Sequence, residues 1–130
     1  MNLVIDTNIL IKYAMGHDLA RELFNSLTID DNICVNDGIL NEYKLILQRK
    51  KLKIAEEIQS EIMDIIKKKL EKYPDGEFKF NKDREDIKFL SCAKISNADY
   101  FISEDKALFS AQWKLNTKIV SMAEFLDSRK

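Results

Sequence analysis

The chain has 130 residues, 45% hydrophobic and 33% charged, with a formal charge of −1. That length suits one domain that buries a stable core without cross-links, and the composition excludes a disordered chain. Two cysteines and a single histidine at their spacings exclude a Cys/His zinc site, and no apolar run reaches the roughly 20 residues that a membrane-spanning helix needs.

Met1 to Asp6 carries no basic segment and only three consecutive apolar residues, so no signal peptide is read there and a cytoplasmic protein is expected. Leu3-Val4-Ile5 has the apolar, β-branched character of a strand covered on both faces. Asp6-Thr7-Asn8 then suits the cap of a helix. A helical face runs from about Asp18 to Leu27, carried by Leu19, Leu23, Phe24 and Leu27. Ile33-Cys34-Val35 is a second buried strand, capped by Asn36-Asp37. Long helices are expected near Asp37 to Arg49 and Ile54 to Tyr73, the latter ended by Pro74-Asp75-Gly76.

Phe78-Lys79-Phe80 reads as a short edge strand, followed by a helix from about Arg84 to Ile95. Tyr100-Phe101-Ile102 and Lys118-Ile119-Val120 complete the apolar strands, and Ser121 with Glu124 forms a capping box for a last helix. Strands alternating with helices imply a single three-layer α/β/α domain over residues 1–130, with a central parallel sheet of four to five strands. Cys34 and Cys92 sit in apolar stretches and are expected as small buried hydrophobes in a reducing compartment.

Four acidic residues fall where the pattern calls for apolar neighbours or for strand ends. Asp6 ends the first strand, and Asp105 closely follows Tyr100-Phe101-Ile102. In open α/β sheets, ligands bind beyond such carboxyl ends. Glu42 shares a helix face with Ile39 and Ile46, and Asp86 shares one with Phe89, Leu90 and Ala93. Converging carboxylates repel, and a hard dication such as Mg²⁺ or Mn²⁺ would hold them together. Singly, Glu42 and Asp86 are equally readable as a helix cap or a solvated side chain, Asp6 less so.

Val4-Ile5-Asp6-Thr7-Asn8-Ile9-Leu10 resembles the opening of PIN-domain nucleases, and Asn41-Glu42-Tyr43-Lys44-Leu45-Ile46-Leu47 resembles their second acidic segment. Asp83 to Leu90 with Ala93, then Asn97 to Leu108, resemble the third and fourth, and Ile119 to Leu126 fits the ending. The resemblance, spread over nearly the whole chain, implies a PIN-like parallel α/β/α fold and Mg²⁺- or Mn²⁺-dependent cleavage of single-stranded RNA. It further implies a homodimer and, as in VapC-type toxins, an antitoxin partner. Carried over, the metal-binding and catalytic quartet is Asp6, Glu42, Asp86 and Asp105. Asn8 would orient Asp6 or a coordinated water, Ser103 would support the site through its hydroxyl, and Thr7 is a weaker candidate of that kind. Asp83, Glu85 and Glu104 crowd the quartet and are alternative or secondary ligands. Asp6 or Asp105 would accept the proton of the attacking water.

An acidic site needs cations elsewhere for the phosphate backbone. Gln48 to Lys53 and Lys67-Lys68-Lys69 with Lys72 are the densest basic runs, though such runs more often form a solvated helix face. Lys12, Lys82 and Lys106 flank the acidic segments. Tyr13 and Trp113 are candidates for base stacking, with core or dimer packing the more ordinary role for Trp113. Ile9, Leu10, Tyr13, Leu23 and Phe24 would build an antitoxin groove or simply the core, and His17 is expected at the surface. The competing readings are an RNA-processing nuclease of the same fold without antitoxin, and a catalytically silent module that binds RNA or protein. A P-loop switch is disfavoured by the lack of a Gly-rich phosphate loop.

Overall fold

The computed structural model describes residues 1–79 and 84–130, the side chains of Arg84 and Glu85 excepted. Five strands lie side by side, all parallel, in the order β3-β2-β1-β4-β5. They are β1 (Asn2–Ile5), β2 (Asn32–Val35), β3 (Leu70–Lys72), β4 (Tyr100–Ile102) and β5 (Lys118–Val120). Helices α1 (Thr7–Ala14), α2 (Asp18–Ser26), α3 (Asp37–Leu47), α4 (Glu56–Lys69), α5 (Arg84–Ser96) and α6 (Met122–Ser128) flank the sheet. Short 3-10 helices run from Lys50 to Leu52 and from Lys106 to Lys114. This is the expected three-layer α/β arrangement. Among the described residues, no helix is long and apolar enough to cross a membrane.

The central strand explains the layering. Leu3, Val4 and Ile5 are all completely buried, and a strand with alternating faces reaches that state only when both faces are covered. Cys34 and Cys92 are buried free thiols, as their apolar neighbours require. Burial, helped by the nearby Cys34 and Asp75, pushes Cys92 up to about 12.

Two expectations fail at the sheet edge. Leu70-Glu71-Lys72 leaves the helical pattern and forms β3, so α4 ends at Lys69 rather than Tyr73. Local propensity favours helix there, but pairing with β2 (Ile33 beside Leu70, Val35 beside Lys72) satisfies backbone groups of an otherwise open edge. The strand expected at Phe78-Lys79-Phe80 does not form at Phe78 and Lys79, and Phe80 lies outside the described residues, as do Lys82 and Asp83. The last helix, by contrast, begins with the expected capping box: Glu124 N–H donates to Ser121 Oγ at 3.1 Å, and Ser121 N–H to the Glu124 carboxylate at 3.0 Å.

Ile9, Leu10, Tyr13, Leu23 and Phe24 are core residues, so they form no groove for a partner helix. Tyr13 packs edge-on against Phe24, donates its hydroxyl to Glu61 at 3.0 Å and offers no face to a base. Trp113 is the reverse case. It is 81% exposed, which rules out core packing. His17 is exposed at the start of α2, as expected.

Helix α6 is pinned by charge. Asp31, only 3% exposed, accepts two hydrogen bonds from the Arg129 guanidinium at 2.7 and 2.9 Å and one from the Met1 amine at 3.2 Å. Burial pushes the Asp31 carboxyl up, but these bonds outweigh it and hold the group well below the usual carboxylate range. A depressed carboxyl stabilises the fold above its unfolded pKa and loses that contribution as pH falls. Arg129→Met is therefore expected to lower unfolding free energy by about 2 kcal/mol at neutral pH. In urea titrations the gap to wild type should narrow below about pH 4.

Candidate active site

The strand order changes direction at β1, with β2 on one side and β4 on the other, which makes the β1/β4 carboxyl ends a topological switch point. In the β1–β4 register Ile5 stands beside Ile102, so the residues that follow each strand emerge together. Asp6 N–H donates to the Ile102 carbonyl at 3.0 Å, and the next side chain along, Ser103, donates its hydroxyl to Asp6 Oδ2 at 2.7 Å. Ser103 is fully buried, and its oxygen also accepts the Asp105 backbone N–H at 3.1 Å. One hydroxyl thus ties the Asp6 carboxylate to the turn that carries Asp105.

Asp6 is at the same time the N-cap of α1, accepting the Asn8 backbone N–H on Oδ1 at 3.3 Å. Asn8 contributes through its main chain, while its side chain is exposed. Asp105 is exposed and caps the following 3-10 helix by accepting the Ala107 N–H at 3.0 Å. Lys106 is exposed beside it.

Glu42 reaches the site from α3. The next residue, Tyr43, is fully buried and donates its hydroxyl to the Ile5 carbonyl, the last one of β1. That bond fixes α3 against the strand end from which Asp6 emerges. Nothing in the hydrophobic pattern distinguished Tyr43 from a packing residue; its position directly after an acidic residue was the only signal. Asn36 caps α3 by accepting Ile39 N–H at 2.9 Å and donates its amide to the Lys88 carbonyl at 3.1 Å, which joins α3 to α5.

Both Glu42 oxygens are engaged. Thr7 donates its hydroxyl to Oε2, and the Lys88 ammonium stands 2.6 Å from Oε1. Thr7 is thus attached to Glu42 rather than to Asp6. Asp86 is half-buried in the first turn of α5, two residues before Lys88. Glu104 is half-buried beside Asp105.

Burial is the main influence raising the Asp6 carboxyl above its ordinary range; Ser103 and Asn8 pull it down, and the charges of Glu42 and Asp105 push it up further. The two acidic neighbours that act on Asp6 are therefore within electrostatic reach of it. An oxygen-only donor set around an over-negative carboxylate has the chemistry of a site for a hard dication. It is not a preassembled cage: among the described residues, no three acidic, His or Cys side chains stand close enough to hold a metal. Sequence reasoning assigned the offsetting of the crowded charge to a dication alone. At Glu42 part of that role falls to Lys88.

Two outcomes follow. Because the folded state raises Asp6, it favours the protonated form, and stability is lost as pH rises through that window. Asp6→Asn keeps the cap and the acceptor for Ser103, so in chelator it should melt higher than wild type at pH 7, with the gain vanishing below about pH 4. Tyr43→Phe should lower unfolding free energy by about 1 kcal/mol in urea titrations.

No curated protein sequence matches the chain. A solved structure described as VapBC2 from Rickettsia felis, bound to a DNA fragment from their promoter, superposes with a TM-score of 0.61 at 17% identity. The match covers 92% of this chain and 97% of that one, a likeness of fold. A family model for the PIN domain matches residues 2–107, from the start of β1 to just past Asp105. The chain belongs to the PIN-domain family.

Proposed function

We propose that this protein is a divalent-cation-dependent endoribonuclease that cuts single-stranded RNA, and that it is the toxin of a toxin–antitoxin pair. The observation that carries the reading is the Asp6 carboxylate. It is held by Ser103 at the switch point of the sheet, with its proton affinity raised by burial and by Glu42 and Asp105. Membership of the PIN family and the likeness to the VapBC2 structure support the class of activity and the kind of partner.

In this reading Asp6, Glu42, Asp86 and Asp105 hold Mg²⁺ or Mn²⁺. When bound there, the cation supplies an activated water and offsets the charge that builds on the phosphodiester oxygens. Asp6 suits the role of proton acceptor for the attacking water, because a carboxyl held above its ordinary range is the more basic one. Ser103, bonded to Oδ2, fixes which way the carboxylate faces. Asn8 closes the other oxygen through its main-chain N–H. Lys12 and Lys106 each follow an acidic strand end in sequence and are candidates for holding RNA phosphates. A homodimer and a cytoplasmic location complete the proposal.

A second reading, a silent RNA- or protein-binding module of the same fold, is favoured by one feature. Lys88 already offsets Glu42 without a metal. Incubating the purified chain with unstructured and structured RNA, in Mg²⁺, in Mn²⁺ and in chelator, separates the two. Cleavage with either cation, none in chelator and none by Asp6→Asn is the expected result. No cation-dependent cut on any RNA would establish the silent module. Co-purification of the product of an adjacent small gene with the tagged chain is expected for a toxin, and its absence would favour an RNA-processing nuclease.

A further inference from the structure

The side chain of Lys88 lies along one face of α3. Its carbonyl accepts the Asn36 amide at the start of that helix. Its stem passes Gly38, where an added β-carbon would meet the Lys88 Cδ at 3.5 Å. Its ammonium ends on Glu42 Oε1 at 2.6 Å. Gly38 and Glu42 are four residues apart, one turn along the same helix face, so a single extended lysine spans them. Lys88 is 25% exposed and Glu42 16%, so the pair is partly withdrawn from water and less screened than a surface ion pair.

This placement has a chemical consequence. With Oε1 on Lys88 and Oε2 on Thr7, Glu42 has no oxygen that is not already engaged. Each carboxylate oxygen keeps a further lone pair, so a dication reaching Glu42 has a place to bind, but it then stands close to the Lys88 ammonium. The ammonium is the one it repels, since both are cations, whereas the Thr7 hydroxyl is neutral.

We propose that Lys88 is the built-in counter-ion of the site: it neutralises Glu42 in the cation-free protein and is exchanged off Glu42 when a divalent cation binds. The proposal rests on the cation-binding reading of the site and adds to it a resident competitor. Lys88 would stabilise the empty protein and weaken the apparent affinity for the cation, because the ammonium repels the incoming charge and its ion pair with Glu42 is lost in the exchange.

The test uses the full chain, stripped with chelator and dialysed, titrated calorimetrically with Mn²⁺. Lys88→Met should bind Mn²⁺ roughly five- to tenfold more tightly than wild type. Without cation the same variant should melt lower than wild type, because Glu42 is left half-buried without its ammonium. Adding Glu42→Gln to Lys88→Met should recover the part of that loss that comes from the unpaired Glu42 charge. A fold-independent arm follows the Lys88 ammonium signal of the wild-type protein by NMR as Mg²⁺ is added: an exchange of partners shifts or broadens it as the site fills.

Unchanged or weaker Mn²⁺ affinity in Lys88→Met, or a Lys88 signal that ignores Mg²⁺ at saturation, would overturn the counter-ion role while leaving a cation site in place. If neither wild type nor variant binds Mn²⁺ or Mg²⁺, the cation-binding reading falls and this proposal falls with it. RNA cleavage is not among the readouts, so failure of the nuclease activity alone leaves the exchange standing or falling on its own measurements.

Discussion

The pairing of β1 with β4 is the constraint on which the site depends. Setting Ile5 beside Ile102 sends Asp6 and Ser103 out of the sheet together, and their side chains meet at 2.7 Å. A shift of one residue would turn each side chain on that strand to the opposite face and part the two groups. Register is held by the burial of Leu3, Val4, Ile5, Phe101 and Ile102, all fully out of water. The hydrophobic core and the polar site are therefore specified by the same strand pairing. Packing energy is used to keep a carboxylate where water would otherwise be a better solvent for it.

Around that pair the protein handles surplus negative charge with graded means. Asp6 receives neutral donors, a serine hydroxyl and a main-chain N–H, and its carboxyl remains above its ordinary range. Glu42 receives a full positive charge and a hydroxyl. Asp105 remains exposed, where water screens it. Asp31, just before β2, shows the contrasting solution: a buried carboxylate matched by a guanidinium and the chain's own amine, with its proton affinity depressed. The difference separates a structural ion pair from a site whose charge is left partly unmatched. Unmatched charge at a strand-end crevice is a mark of function more than of stability.

The helices do more than cover the sheet. Tyr43 ties α3 to the last carbonyl of β1, and Asn36 ties the start of α3 to α5. Glu42 and Lys88 are consequently carried on two helices joined to each other and to the central strand. Groups mounted on such elements hold their geometry better than groups on loops.

Much of this is legible in the order of the residues. Apolar β-branched triplets at Leu3-Val4-Ile5 and Ile33-Cys34-Val35 specify buried parallel strands, since no other short element needs apolar residues on both faces. The Ser121–Glu124 box and the Asn36 cap are local hydrogen-bond motifs, and they formed where the residues stood. Asp6 and Asp105 were legible as strand-end acids for the same local reason. Features that depend on distant partners took shape only when the chain folded. Leu70 to Lys72 became a strand because β2 offered an open edge, and Trp113 stayed in solvent because none of the described elements covers it. Tyr13 and Phe24 sank into the core, and Lys88 found Glu42 across 46 positions of chain. Charge pairing of that kind carries no periodicity, because it is set by distances in space that a linear pattern does not encode.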